Sequence, residues 1–253
     1  MIRCTASSVG LAALALAAVS VAGPALIPAQ AFLAPGTPAK DVHVGLDNDN
    51  ATNGFIQPTG IAAQQHMADT DILVGRANDD LLVGNRGADT LLGNGGGDIV
   101  VGGADNDVLL AEGGDDVSIW APGDASDAFV GHRGDDVMIF APLIEKADGS
   151  LRLEKYYGRK VPRVDIDAAP QFSCTIVEIP ASEHMGFDFL VRFNIDNALV
   201  ATVRGEAVES VYCPSPETGK ALVADLTDAA PAFRPVRLTD VRGVVGAIVA
   251  PTG

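Results

Sequence analysis

Aspartates recur on a strict spacing in one part of this chain. Asp71, Asp80, Asp89, Asp98, Asp107 and Asp116 each follow the last by nine residues, and Asp127 and Asp136 continue the series after a two-residue insertion. Carboxylates on such a period are candidate cation ligands, because like charges brought together need a counter-charge and hard divalent ions collect oxygen donors. Their neighbours are unusual as well. Residues 93–110, GNGGGDIVVGGADNDVLL, alternate glycine-rich turns with short apolar bursts.

Written in nines, residues 66–140 read HMADTDILV, GRANDDLLV, GNRGADTLL, GNGGGDIVV, GGADNDVLL, AEGGDDVSI and, after WAPGDASDAFV, GHRGDDVMI. The fourth position holds Asp69, Asn78, Gly87, Gly96, Asp105, Gly114 and Gly134, residue types that tolerate the positive φ of a tight turn. The residue two after each aspartate is apolar, Leu73, Leu82, Leu91, Val100, Leu109, Phe129 and Met138, and only Ser118 breaks the column. A unit of six turn residues and three strand residues buries nothing alone. Stacked coils, however, pair their strands into parallel ladders around an apolar column.

This pattern resembles the RTX family of calcium-binding parallel β-rolls, whose unit is G-G-x-G-x-D-x-U-x with U a large apolar residue. The expected fold is all-β, a parallel β-roll of nonapeptide repeats followed by a small antiparallel β domain. In a roll, successive units form opposite sides of one coil. Asp71, Asp89, Asp107 and Asp127 then line one side, and Asp80, Asp98, Asp116 and Asp136 the other. Coils about 4.8 Å apart bring unit charges close enough to repel by roughly 3 kcal/mol at the effective dielectric of a protein surface. Ca²⁺, with six to eight oxygen ligands in flexible geometry, suits two carboxylates plus turn carbonyls better than Mg²⁺ does. The resemblance implies the same scheme, each repeat aspartate being shared between stacked turns. Loops 84–89, 93–98 and 102–107 fit it best. Those ending at Asp71, which lacks glycine, and at Asp127, which contains Pro122, fit least. Asp79, Asp115 and Asp135, just before repeat aspartates, are expected to face solvent.

The charge supports this reading. The chain has 253 residues and a formal net charge of -16, and between positions 41 and 140 there are 18 acidic side chains against Arg76, Arg86 and Arg133. Such acidity argues against nucleic acid and anionic membrane surfaces as partners and suits cations. At the N-terminus, Arg3, an apolar run over about 9–22 and Ala29-Gln30-Ala31 read as a secretory signal cleaved before Phe32. The mature chain is therefore expected to be secreted, extracellular or periplasmic, without a membrane span. It keeps Cys174 and Cys213, candidates for a disulfide in an oxidising compartment, with two buried thiols as the alternative.

The expected organisation is a signal at 1–31, an N-terminal cap at 32–65, the roll at 66–140 and the β domain at 141–253. GLDNDNATNGF, residues 45–55, fails as an EF-hand loop and reads as a polar turn in the cap. In the last segment, alternation around Phe187, Phe189, Val191 and Phe193 and an Asp196-Asn197 turn predict a hairpin. Further strands are expected at 151–156, 163–167, 174–179, 208–212, 222–226 and 236–245. The chain contains neither H-E-x-x-H nor G-x-S-x-G, and His43, His66, His132 and His184 are scattered. The reading is an exported calcium-binding protein, with the roll as scaffold or interaction module for a cell-surface or extracellular ligand. The alternative is a hydrolase, for example on polysaccharide, using carboxylates such as Asp165, Asp167 or Asp188. Calcium is expected to order the roll, with Trp120 as reporter, and to leave the β domain unaffected.

Overall fold

The computed structural model describes residues 33–35, 42–44, 72–147, 149–157, 159–166, 172–183, 185–215 and 221–249. The signal, most of the cap, Asp71, Asp167 and His184 lie outside the described residues. Two short strands come first, β1 (Leu33–Pro35) and β2 (Val42–Val44). The nine-residue period then produces β3 (Ile72–Ala77), β4 (Leu81–Arg86), β5 (Thr90–Gly95), β6 (Ile99–Ala104), β7 (Val108–Gly113), β8 (Val117–Trp120), β9 (Ala128–Val130) and β10 (Val137–Phe140). Odd strands β1 to β9 pair in parallel in one sheet and even strands β2 to β10 in the other, so two units make one coil.

Register follows the repeat. Leu73 pairs with Leu91, Leu91 with Leu109 and Leu109 with Phe129 in the first sheet; Leu82 pairs with Val100, Val100 with Ser118 and Ser118 with Met138 in the second. Every residue of this column is buried, Ser118 included. Burying each Leu-sized side chain is worth roughly 1.5–3 kcal/mol, so the column is the apolar spine of the roll. The turns bend at two positions, not one. Besides Asn78, Asp105 and the glycines at the fourth position, φ is positive at the second, in Asn85, Asn94, Gly103, Glu112 and His132. Mixed residue types at that position concealed it in the sequence.

Beyond the roll both sheets continue, each through one more parallel strand and then antiparallel ones. β11 (Leu153–Tyr156) and β12 (Arg159–Val164) form a hairpin. β13 (Phe172–Glu178), β14 (Phe189–Ile195) and β15 (Ala198–Glu206) extend the first sheet, β15 running parallel to β9. β16 (Ser210–Pro214), β17 (Ala221–Asp225) and β18 (Arg234–Pro235) extend the second, β16 running parallel to β10. The β14–β15 hairpin turns at Asp196 and Asn197, both with positive φ, as expected. The inner core is continuous across the change of direction: Trp120, Phe129 and Phe140 share one cluster with Phe172, Phe189, Phe193, Val203 and Val211. Cys174 of β13 and Cys213 of β16 are joined by a disulfide with a Cα–Cα distance of 6.2 Å, tying one sheet to the other.

One expected strand is a helix. Residues 236–245 contain α1 (Leu238–Val244), followed by β19 (Ile248–Val249), which pairs with β12. Valine-rich sequence suggested a strand, but Val241 and Val245 are both buried while Val244 is 60% exposed, a four-residue spacing that suits one helical face. With β11, β12 and β19, α1 covers the outer face of the second sheet, where Leu81, Val83, Ile99, Val101, Val117 and Ile119 pack against Val161, Val164, Val241 and Val249. Among the described residues no helix is long and apolar enough to cross a membrane.

Candidate metal sites

The strand that follows each turn fixes the aspartate before it. Because coils stack at a separation of 18 residues, or 20 across the insertion, repeat aspartates fall level with one another. Their backbones are linked: the N–H of Ile99 donates to the carbonyl of Asp80, Val108 to Asp89, Val117 to Asp98, Ala128 to Asp107 and Val137 to Asp116. The carboxylates are linked in the opposite direction. Asp80 N–H donates to Oδ1 of Asp98 at 2.7 Å, Asp98 N–H to Asp116 at 2.6 Å and Asp116 N–H to Asp136 at 2.9 Å. On the other side Asp89 N–H donates to Asp107 at 2.8 Å and Asp107 N–H to Asp127 at 3.0 Å. These are the two ladders expected from the spacing, with Asp127 a full rung despite its proline-containing loop.

All seven described repeat aspartates are buried, none more than 2% exposed. Oδ1 is used by the neighbouring coil, whereas Oδ2 of Asp98, Asp107, Asp116 and Asp136 is buried without a hydrogen-bond partner. Burial raises the carboxyls of Asp98, Asp116 and Asp136 to about 7 and that of Asp107 to about 9; the N–H bond each accepts pulls back, and neighbouring carboxylates push further up. A buried partnerless carboxylate oxygen must take a proton or a cation.

The space beside Oδ2 fits a cation. A Cβ at Gly93 would collide with Oδ2 of Asp98 and with the carbonyl of Ala111 one coil on, and Gly84 repeats this with Asp89 and the carbonyl of Gly102. Glycine five residues before the aspartate keeps open a point where a carboxylate and a main-chain carbonyl converge. Among the described residues no three His, Cys, Asp or Glu side chains cluster for a metal, so main-chain carbonyls must complete a coordination shell. Oxygen donors of this kind, with no sulfur or imidazole, match a hard cation with flexible geometry.

Sequence reading missed several contributors. Asp79 and Asp115 accept the N–H of Gly97 and Asp135 at 3.1 Å each; Asp115 and Asp135 are exposed as expected, whereas Asp79 is half-buried. Asp124, within the insertion, accepts the Ala121 N–H at 2.8 Å, and Trp120 Nε1–H pins the same loop through the carbonyl of Ala125. Arg159 of β12 reaches across to donate to the carbonyl of Gly97 at 2.6 Å and lies 3.8 Å from the Asp79 carboxylate, a cation beside the second-sheet ladder. Glu209, just before β16, accepts the N–H of Asp136 at 2.6 Å.

Two other carboxylates singled out in the sequence, Asp188 and Asp165, fall among the described residues. Asp188 accepts the N–H of Ala207 at 3.2 Å, and Asp165 donates its N–H to the carbonyl of Pro142. A groove lined by Val177, Ile179, Pro180, Glu183, Met185 and Phe187 includes neither of them.

A family model, the RTX calcium-binding nonapeptide repeat (4 copies), matches residues 67–100 and 92–118. No curated protein matches the chain. The match ends before Asp127 and Asp136, while the coil geometry runs on through both. The family match makes residues 67–118 RTX-type calcium-binding repeats, and the same coil and stacked carboxylates continue through Asp136.

Proposed function

We propose that this is an exported protein whose repeats fold around calcium ions and whose roll serves as a scaffold or interaction module outside the cytoplasm. The observation that carries the calcium part is the set of buried Oδ2 atoms on Asp98, Asp107, Asp116 and Asp136 that have no hydrogen-bond partner. Bound calcium supplies positive charge to neutralise the ladders. The protein supplies the rest: Oδ1 ties each carboxylate to the preceding coil, glycines beside Asp98, Asp107 and Asp136 keep the adjoining space open, and turn carbonyls complete the oxygen set. Extracellular calcium, being abundant, suits sites assembled from few charged ligands.

The interaction part is supported by the difference between the two outer faces. That of the second sheet is covered, whereas that of the first leaves Ile72 37% and Val108 41% exposed. Export is supported by the N-terminal sequence. Calcium titration of the chain from position 32 onward, followed by calorimetry, far-ultraviolet circular dichroism and Trp120 fluorescence, tests the reading. Several calcium ions should bind with gain of β structure, and Mg²⁺ should bind far more weakly. Equal responses to both ions, or none, would overturn it. Mass spectrometry of the exported product should find a start near Phe32, and an intact N-terminus would remove the export part.

A further inference from the structure

The second-sheet ladder does not end where the repeats end. Asp136 is the last repeat aspartate, yet its N–H makes the same bond as its predecessors, donating to Glu209 Oε2 at 2.6 Å where Asp98 and Asp116 donate to an aspartate one coil on at 2.6 and 2.9 Å. Register accounts for this. Val137 pairs with Ser210, which sets Glu209 level with Asp136, and the N–H groups of Glu209 and Ser210 both donate to the carbonyl of Asp136. β16 thus enters the sheet as one more coil would.

The space beside Asp136 is reproduced as well. At Gly93 a Cβ would strike Oδ2 of Asp98 and the carbonyl of Ala111; at Gly131 it would strike Oδ2 of Asp136 and the carbonyl of Ala207. Ala207 belongs to no repeat. It takes a left-handed conformation, φ 49°, and its N–H is held by the Asp188 carboxylate at 3.2 Å. Oδ2 of Asp136 is partnerless, and Asp136 is 1% exposed. The other ladder lacks such an ending. Arg204 pairs with Ala128, so the residue level with Asp127 is Val203, which is buried in the apolar core.

We infer that Asp136, Glu209 and the main-chain carbonyl of Ala207 form an additional calcium site, built between the last repeat and β16, the strand that continues the second sheet beyond the roll. It rests on the calcium reading of the repeats. Glutamate here replaces the repeat aspartate, and the connection from β15 in one sheet to β16 in the other replaces the glycine turn. Calcium at this site would join the roll to the strands that follow it, which the repeat motif alone does not suggest.

The test is calorimetric stoichiometry with Ca²⁺ on the whole mature chain, beside thermal melts with and without Ca²⁺, for wild type, Glu209→Gln and Gly131→Ala. Glutamine can still accept the Asp136 N–H but removes the charge. Glu209→Gln should therefore lose one calcium, or weaken one site at least tenfold, while its calcium-free melting temperature holds or rises because a like charge beside Asp136 is gone. Gly131→Ala keeps both carboxylates, puts a methyl where Oδ2 of Asp136 meets the Ala207 carbonyl, and should lose the same site. Unchanged stoichiometry and affinity in both variants would overturn the inference. So would a Glu209→Gln chain that melts lower without calcium yet binds the full number of ions, which marks a structural hydrogen bond only. A wild-type chain that binds no calcium would instead overturn the reading of the repeats themselves.

Discussion

Where glycine stands five residues before it, as for Asp98, Asp107 and Asp136 but not for Asp116, which has Ala111 there, a repeat aspartate has two tasks, divided between its two oxygens. Oδ1 is a structural acceptor that holds the N–H of the preceding coil, and Oδ2 faces a space that glycine keeps clear. The spacing of the aspartates and the glycine content were legible in sequence; the division of labour was not, because it depends on a neighbour 18 residues away. Gly93→Ala tests the space itself. Its Cβ would meet Oδ2 of Asp98 and the carbonyl of Ala111, whereas a Cβ at Gly243 would meet nothing within 4 Å. Gly93→Ala should cost about 1–3 kcal/mol and weaken calcium binding at the gap between Asp98 and Asp116. Gly243→Ala, in an exposed helix position, should leave calcium binding unchanged and be neutral or stabilising by up to about 1 kcal/mol. Chemical denaturation with calorimetry separates the two, and equal calcium affinity in both variants would refute the role given to Gly93.

Among the elements, strands were recovered better than their partners. Alternation and turn chemistry predicted the β14–β15 hairpin, but nothing local in β15 or β16 announces that each runs parallel to the last strand of a sheet in the roll. The disulfide reinforces that arrangement, since Cys174 and Cys213 stand in different sheets at a sequence separation of 39. A loop of that length corresponds to about 4 kcal/mol in the chain-entropy account. Cys174→Ala combined with Cys213→Ala should lower stability by about 2–4 kcal/mol in denaturant unfolding, with calcium present or absent. Loss of less than about 0.5 kcal/mol would mean that the sheets are held together by the core alone. α1 shows the opposite limit. Its valines favour a strand by propensity, and the apolar face of the second sheet selects a helix instead.

For the whole molecule, the continuous core changes what calcium should do. Trp120 packs on Phe193 of β14 with ring centroids 4.5 Å apart and on Phe140 at 5.6 Å, so ordering of the roll is shared with the strands beyond it. This revises the expectation that calcium leaves the antiparallel region untouched. Near-ultraviolet signals from Tyr212, buried on β16, should change together with Trp120 fluorescence on calcium removal. Stability should also depend on pH with opposite signs in the two states. Asp98, Asp116 and Asp136 sit near 7 in the folded chain against 3.8 ordinarily, so the calcium-free fold retains protons that the unfolded chain has released. The stability these three groups contribute is greatest below about pH 4 and falls as pH rises towards 7. With saturating calcium the protons compete with the cation, so stability should rise with pH over that window. Thermal melts at pH 5 and 7.5, with and without calcium, should cross, and parallel slopes would refute cation binding at these carboxylates.

The amino-acid sequence by itself determined the coil. A nine-residue period of turn formers, aspartate and one large apolar residue admits few solutions besides stacked parallel strands, so the two ladders and the apolar column could be assigned before any coordinates, because every rung repeats the same local choice. Tertiary structure decided what happens at the end of that repetition. Glu209, Ala207 and Arg159 carry no motif, and they reach the ladder only because β12 and β16 are packed there by the outer core and by sheet register. Contacts set by packing between distant, non-repeating segments leave no period in the chain, so only the folded protein reveals them.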